Sequence, residues 1–321
     1  MKSGKFLKYF SVITILLIVG FVALNIYIDI YGLFLGRTNR KVYVNERTSK
    51  YLLSYRYIPE NYDAIIVGPS LSANLNPSYI RNYNAYNASV MGANISELKY
   101  LLDNVLERGN LKLVVICLDP YLTKDFGKKS ASIDPKEYYG ALGSTNLLKT
   151  YLMYAVRHYE LLPNKYAKDI ITQNGWNNFG LEMKGLDANK IIAEKIEQRR
   201  YEAPKFDNRA YEELRGVIEK LKSKDVKIVA YFTPIPYPLY SIGRKDYEFF
   251  EEHMKKLFSK EDIVINLNSE KYKTTTSDYS IFIDHGHLSA SGQKFVLDEI
   301  NAHIENTVTT TSVPVRNAIT R

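Results

Sequence analysis

The sequence predicts a doubly wound α/β fold, a parallel sheet with helices on both faces. Two observations carry that prediction: unbroken apolar runs closed by turn residues, which suit parallel strands buried on both sides, and amphipathic stretches between them. The runs are 64–67 (AIIV, closed by Gly68), 113–118 (LVVICL, closed by Asp119 and Pro120), 226–232 (VKIVAYF, closed by Thr233 and Pro234) and 263–267 (IVINL). Helices are expected at 96–108, 208–223 and 245–259. Asp207 fits as the N-cap of the second, with Leu214, Val217, Ile218 and Leu221 along one face. Ligands of such sheets bind beyond the carboxyl ends of the strands, so the residues just after the apolar runs are where chemistry is expected.

Ahead of the sheet, no charged residue lies between Lys8 and Asp29, and residues 9–28 match the roughly 20 residues a helix needs to cross a bilayer. Tyr9, Phe10, Tyr27 and Tyr31 suit the two interfacial belts. A cleaved signal peptide is the rival reading. The run exceeds the usual apolar core of about 7–15 residues and no small-x-small site precedes Asp29, which favours an uncleaved single-pass anchor. Lys2, Lys5 and Lys8 on one side balance Arg37, Arg40 and Lys41 on the other, so flanking charge sets no orientation; a long domain can still be translocated, and an exoplasmic one is expected. The organisation read from the chain is an anchor at 1–36, a basic, tyrosine-rich juxtamembrane connector at 37–60, an α/β domain at 61–306 and a loose tail at 307–321. A mainly helical insertion interrupts the domain at about 125–205 and could cap its site.

The 321 residues carry a formal charge of +8 and one cysteine, Cys117, so no intramolecular disulfide and no cysteine-based metal or iron–sulfur site can form. The basic excess reads as solvated helix faces and attraction to a membrane surface. No phosphate-loop, zinc-finger or RNA-recognition motif points to nucleic acid, and His158, His253 and His303 have no partner at metal-ligand spacing. Neither cofactor nor metal is expected.

Gly68-Pro69-Ser70 puts a hydroxyl at the turn after the first strand, a place for a nucleophile, although a helix N-cap would use the same residue type. Asp284-His285-Gly286-His287 stands directly before the last amphipathic helix. An aspartate three residues ahead of a histidine can fix its tautomer, leaving the other ring nitrogen to take a proton from serine; His285 competes with His287 for that role. The run 231–238 (YFTPIPYP) could line the same crevice with aromatic rings or could simply pack as a rigid proline loop.

On these residues the chain resembles the SGNH, or GDSL-like, hydrolase superfamily, specifically its membrane-anchored branch associated with acylation of cell-envelope polysaccharides. The resemblance covers 60–120 and 205–305 well and the insertion poorly. It implies a flavodoxin-like three-layer sandwich, with Ser70 as nucleophile, His287 as base and Asp284 as the group that orients it. The segment 86–94 (YNASVMGAN) is similar to the family's second block, which implies Gly92 as an oxyanion-hole donor, with Asn94 a candidate beside it. Residues 29–34 (DIYGLF) resemble a feature of anchored bacterial members. One position departs: where the third block supplies Gly-x-Asn-Asp, this chain reads Cys117-Leu118-Asp119-Pro120, so the usual asparagine donor is missing. Loss of one such donor costs about 2.7–4 kcal/mol of barrier. The resemblance implies an anchored serine esterase or O-acetyltransferase acting on an envelope glycan or acyl ester through an acyl-Ser70 intermediate. For a transferase it further implies a separate membrane-bound O-acyltransferase as partner. The competing expectation is an inactive protein of the same fold that binds glycan or assembles a modification complex.

Overall fold

The computed structural model describes residues 3–36, 45–124, 133–165, 170–201, 203–204 and 207–311. Five parallel strands form one sheet in the order β2-β1-β3-β4-β5: β1 Ala64–Val67, β2 Ala85–Asn87, β3 Leu113–Leu118, β4 Lys227–Phe232 and β5 Ile263–Asn266. Before the sheet come α1 (Ser3–Ile28), α2 (Glu46–Leu53) and α3 (Tyr57–Asn61); α4 (Ser70–Ala73) follows β1, and α5 (Ile95–Arg108) follows β2. Between β3 and β4 lie α6 (Glu137–Gly140), α7 (Thr145–His158), α8 (Phe179–Glu182), α9 (Ala188–Glu197) and α10 (Asn208–Ser223). The remainder is α11 (Tyr237–Ile242), α12 (Arg244–Lys255), α13 (Lys273–Thr276) and α14 (Ala290–Thr311).

The four apolar runs are strands whose side chains alternate between two cores; β1, β3 and β4 are covered on both faces, and the edge strand β5 buries Ile263 and Ile265 while Val264 is partly covered. Ile65, Val67, Val114, Ile116 and Ile228 face a layer built from α3, α5, α10 and α12. Ile66, Val115, Cys117, Val229 and Ile265 face α11 and α14. The register aligns Ile66 with Val115 and Val67 with Ile116. β1 is thus flanked by β2 on one side and β3 on the other, and the chain leaves it in one direction and returns in the other. That reversal opens a crevice at the carboxyl ends of β1 and β3, where Ser70 and Asp119 stand.

Two boundaries differ from those read off the sequence. Residues 46–60, expected as part of a connector, lie in α2 and α3, whose Leu53, Tyr57 and Ile58 sit in the main core. Lys50 of α2 is fully buried, its ammonium 3.0 Å from the Glu46 carboxylate one turn back and donating to the Ser89 carbonyl. Burial lowers its pKa, with Glu46 opposing. Residues 37–44 and 125–132, at the start of the expected connector and insertion, lie outside the described residues. At the other end α14 continues to Thr311, into the expected tail, of which 312–321 are outside the described residues.

α1 is long and apolar enough to cross a membrane, and nearly all of it projects from the rest of the chain. Only its foot is packed. There Ile30, Tyr31, Tyr51, Leu52, Ile133, Ala141 and Leu147 form a third cluster, and the Asp29 carboxylate accepts the backbone N–H groups of Phe34 (3.1 Å) and Leu35 (2.7 Å).

Candidate active site

Ser70 is the first residue of α4, half-buried, directly after Pro69 in extended conformation. Gly68 before it has no room for a side chain: a Cβ there would stand 2.4 Å from the Ser72 hydroxyl and 2.6 Å from the Cys117 Cβ. That close approach of β1, β3 and α4 fixes where the serine turn leaves the sheet. Asn87, fully buried at the end of β2, then clamps α4 from below. Its Nδ2 donates to the carbonyls of Ser72 (2.7 Å), Ala73 (3.2 Å) and Leu75 (2.8 Å), and its Oδ1 accepts the Ser89 N–H at 3.0 Å.

The loop 281–289 lies along α4. Gly286 abuts Leu71, with 3.2 Å from a would-be Gly286 Cβ to the leucine methyl, and Asn74 Nδ2 donates to the Leu288 carbonyl at 2.7 Å. Within the loop Asp284 gathers three hydrogen bonds, from the backbone N–H of Gly286 (2.8 Å) and of His287 (2.7 Å) on one oxygen and the His287 ring Nδ1 (2.8 Å) on the other. Burial by itself would raise the Asp284 pKa; the hydrogen bond and charge of His287 and the two N–H groups outweigh it and hold the carboxyl at about 2. Asp284 is therefore an anion at neutral pH that takes the Nδ1 side of the His287 ring, and Nε2 is the nitrogen turned away from it. This Nε2 is buried and has no hydrogen-bond partner among the described residues. His285 is exposed, and of the two histidines it is His287 whose ring meets Asp284.

Gly92 sits in an exposed turn at φ +65°, two residues after Val90, whose N–H holds the Gly68 carbonyl at 3.1 Å. Asn94 is otherwise employed. Its Oδ1 accepts the Glu97 N–H as the N-cap of α5 and its Nδ2 donates to the Lys124 carbonyl at 3.2 Å, so the side chain is held at both ends. Asp119, the residue in place of the missing asparagine, caps the turn that follows β3 by accepting the Tyr121 N–H at 2.9 Å. In the run 231–238, Tyr231 and Phe232 are buried in opposite core layers, and Tyr237 bonds Arg244 and Glu270.

No family model matches the chain, and no curated protein matches it. Among solved structures it is similar to one from Streptococcus pneumonia provisionally named a platelet activating factor, with 9% identity, 81% of this chain and 90% of that chain covered, and a TM-score of 0.44. The assignment of roles therefore rests on the geometry.

The residues that sequence reasoning missed come from the insertion. The Phe179 ring meets His287 edge-on, centroids 5.1 Å apart. Asn177, 2% exposed, donates its backbone N–H to the Ala73 carbonyl at 3.0 Å and brings its Nδ2 to the Met91 sulfur at 3.7 Å, while its Oδ1 has no partner among the described residues. The Trp176 indole N–H reaches the Asn74 carbonyl at 2.8 Å. Gly175, at φ +78°, lets the segment approach: a Cβ would lie 2.2 Å from the Asn87 carbonyl oxygen. Beside this wall a groove of about 660 Å³ runs from Ile283 and Ser289 past Trp176 and Tyr79 to Gln293 and Asp298.

Proposed function

We propose that this chain is an anchored SGNH-like serine esterase or O-acetyltransferase, exoplasmic in its α/β domain, acting on cell-envelope polysaccharide through an acyl-Ser70 intermediate. The observation that carries the reading is the Asp284–His287 pair: an ionised carboxylate on Nδ1 and an unpartnered, buried Nε2, on a loop packed against the helix that Ser70 begins. Ser70 Oγ attacks the acyl carbonyl as its proton passes to His287 Nε2. The tetrahedral intermediate expels the alcohol, which takes that proton from the imidazolium. Water in an esterase, or a sugar hydroxyl in a transferase, then attacks the acyl-serine with the same histidine as base. Asp284 holds the ring and stabilises the imidazolium throughout.

The backbone N–H groups of Ser70 and Gly92 are the proposed oxyanion donors. The committed side chain of Asn94 argues against its sharing that role. The better substitute for the missing third-block asparagine is the Asn177 carboxamide, buried and without a strong partner at either end; such orphaned groups are rare unless function uses them. The Trp176 and Tyr79 rings with the polar side chains of the neighbouring groove suit a sugar acceptor, which stacks an apolar face and bonds its hydroxyls. Acyl groups for transfer would come from a membrane-bound O-acyltransferase.

Asp119 at the third-block position favours a second reading, a non-catalytic glycan-binding protein of the same fold. Treating the full chain in detergent with a serine-reactive phosphonate separates the two. The enzyme reading expects an adduct on Ser70 that is lost in Ser70→Ala and in His287→Ala and reduced in Asn177→Ala. A folded protein that takes no adduct at Ser70 is the binding protein.

A further inference from the structure

α1 leaves the domain with a polar residue in its last two turns, and that residue is occupied. Asn25, 3% exposed, donates through Nδ2 to the carbonyls of Ala141 (3.1 Å) and Leu142 (3.3 Å) and accepts the Tyr151 hydroxyl at 2.5 Å. Four residues earlier Phe21 is the nearest group to Gly143, 3.7 Å from where a glycine Cβ would be. Three residues beyond Ile28 the Tyr31 hydroxyl meets Thr150 at 2.9 Å. The stretch 141–151 thus packs against residues 21–31, the end of α1 and the turn that follows it. At a rise of about 1.5 Å per residue, Asn25 lies about 4.5 Å and Phe21 about 10 Å inside the end of α1. If α1 spans a bilayer, the turn before α7 is at that depth too.

The outer side of the same stretch is apolar. Leu142, Leu148 and Leu152 are 44%, 54% and 64% exposed, and Leu161 and Leu162 just past α7 are 63% and 51% exposed. Leu148 and Leu152 stand one turn apart on one helix face, while Leu147 and Thr150 are buried on the other, toward the cluster at the foot of α1. Lys149, exposed on α7, is placed to meet lipid headgroups.

We propose that residues 141–162 form an interfacial segment embedded in the same bilayer as α1, with the leucines in the acyl region and α7 lying in the membrane surface. The occupant is lipid because the patch is continuous with the lipid-exposed flank of α1 and is held at its depth by Asn25, which also argues that α1 is retained. A depth of about 5–10 Å is that of amphipathic helices seated at the headgroup boundary. The inference rests on the reading of α1 as an anchor and is independent of the chemistry at Ser70.

The test uses the full chain in vesicles of equimolar phosphatidylcholine and phosphatidylglycerol. An environment-sensitive dye is attached to Leu148→Cys or Leu152→Cys in a Cys117→Ser background, with Leu17→Cys as the deep reference and Glu212→Cys on α10 as the aqueous one. Spin-labelled lipids, carrying the quencher near the headgroup or deep in the chain, read the depth. Embedding gives blue-shifted emission at both leucine positions and quenching by the shallow lipid at least about threefold that at position 212, while position 17 responds to the deep lipid. Positions 148 and 152 behaving like 212 while 17 is quenched would overturn the proposal and leave the anchor standing. No quenching at 17 would overturn both.

Discussion

Two regions of this molecule are each joined by one buried asparagine, and they use it differently. In the crevice Asn87 ties β2 to three carbonyls at the end of α4. At the foot Asn25 ties α1 to the carbonyls of Ala141 and Leu142. Asn87 has water on no side and holds three carbonyls and one N–H together, so the serine turn cannot shift without breaking several bonds at once. Asn25 belongs to a helix whose other faces are exposed and apolar; on the proposed reading of α1 as a membrane span, a carboxamide there finds alternative partners when freed, so each bond stabilises less. The same side chain builds a rigid floor under the Ser70 turn in one place and a lighter joint between α1 and the α/β domain in the other. Lys50 spans the two. It sits on the helix whose Tyr51 and Leu52 belong to the foot, yet its ammonium ends on Ser89, two residues past Asn87.

Breaking the floor is the largest expected effect. Asn87→Ala removes the side-chain donor to three carbonyls and the acceptor of the Ser89 N–H at once, and urea unfolding of the full chain in detergent should show a loss of about 4 kcal/mol, with phosphonate labelling of Ser70 falling in step. Next is the strut. Glu46→Ala leaves the Lys50 ammonium buried without its carboxylate and should cost about 3 kcal/mol, most of it recovered in the double variant with Lys50→Met; a double variant no more stable than the single would show that the pair matters for more than its charge. Asn25→Ala should cost only about 1 kcal/mol and leave Ser70 labelling unchanged, and limited proteolysis between 141 and 162 is where it should register. If its loss equals that of Asn87→Ala, the contrast between the two regions collapses.

The smallest effect is a titration. Asp284 has a folded pKa of about 2 against an ordinary 3.8, a depressed carboxyl, so its contribution to stability is fully present above the ordinary value and is lost as pH falls from about 4 through 2. Asp284→Asn should remove that part of the acid unfolding slope, measured by circular dichroism. The change should be modest because water still reaches part of the group.

How much of this could be read from the sequence follows the physics of each element. β1, β3, β4 and β5 were legible because strands buried on both faces are unbroken apolar runs, whereas β2, three residues long and ending in the clamp asparagine, has no such run. The Asp284 to His287 spacing was legible because the bond is local, three residues apart. α2 looked like a basic linker because Lys50 is charged in the sequence, and its burial depends on Glu46 one turn away and a carbonyl 39 residues on. Asn177 and Phe179 were hidden for a related reason. Their positions are set by where the insertion crosses Ala73 and His287, contacts about 100 residues away in the chain that no local pattern encodes.

Cys117, wedged behind Gly68 with its thiol wholly shielded, makes this chain its own stopwatch. A thiol reagent can reach it only when the seam between β1 and β3 parts, and burial that pushes its pKa up keeps the group in the sluggish protonated form until then. Since the chain has one cysteine, each alkylated molecule marks one opening beneath the Ser70 turn. The unmodified wild-type protein therefore carries a clock for how often that floor breathes, and acyl-chain, glycan or bilayer can each be asked whether it slows the ticking.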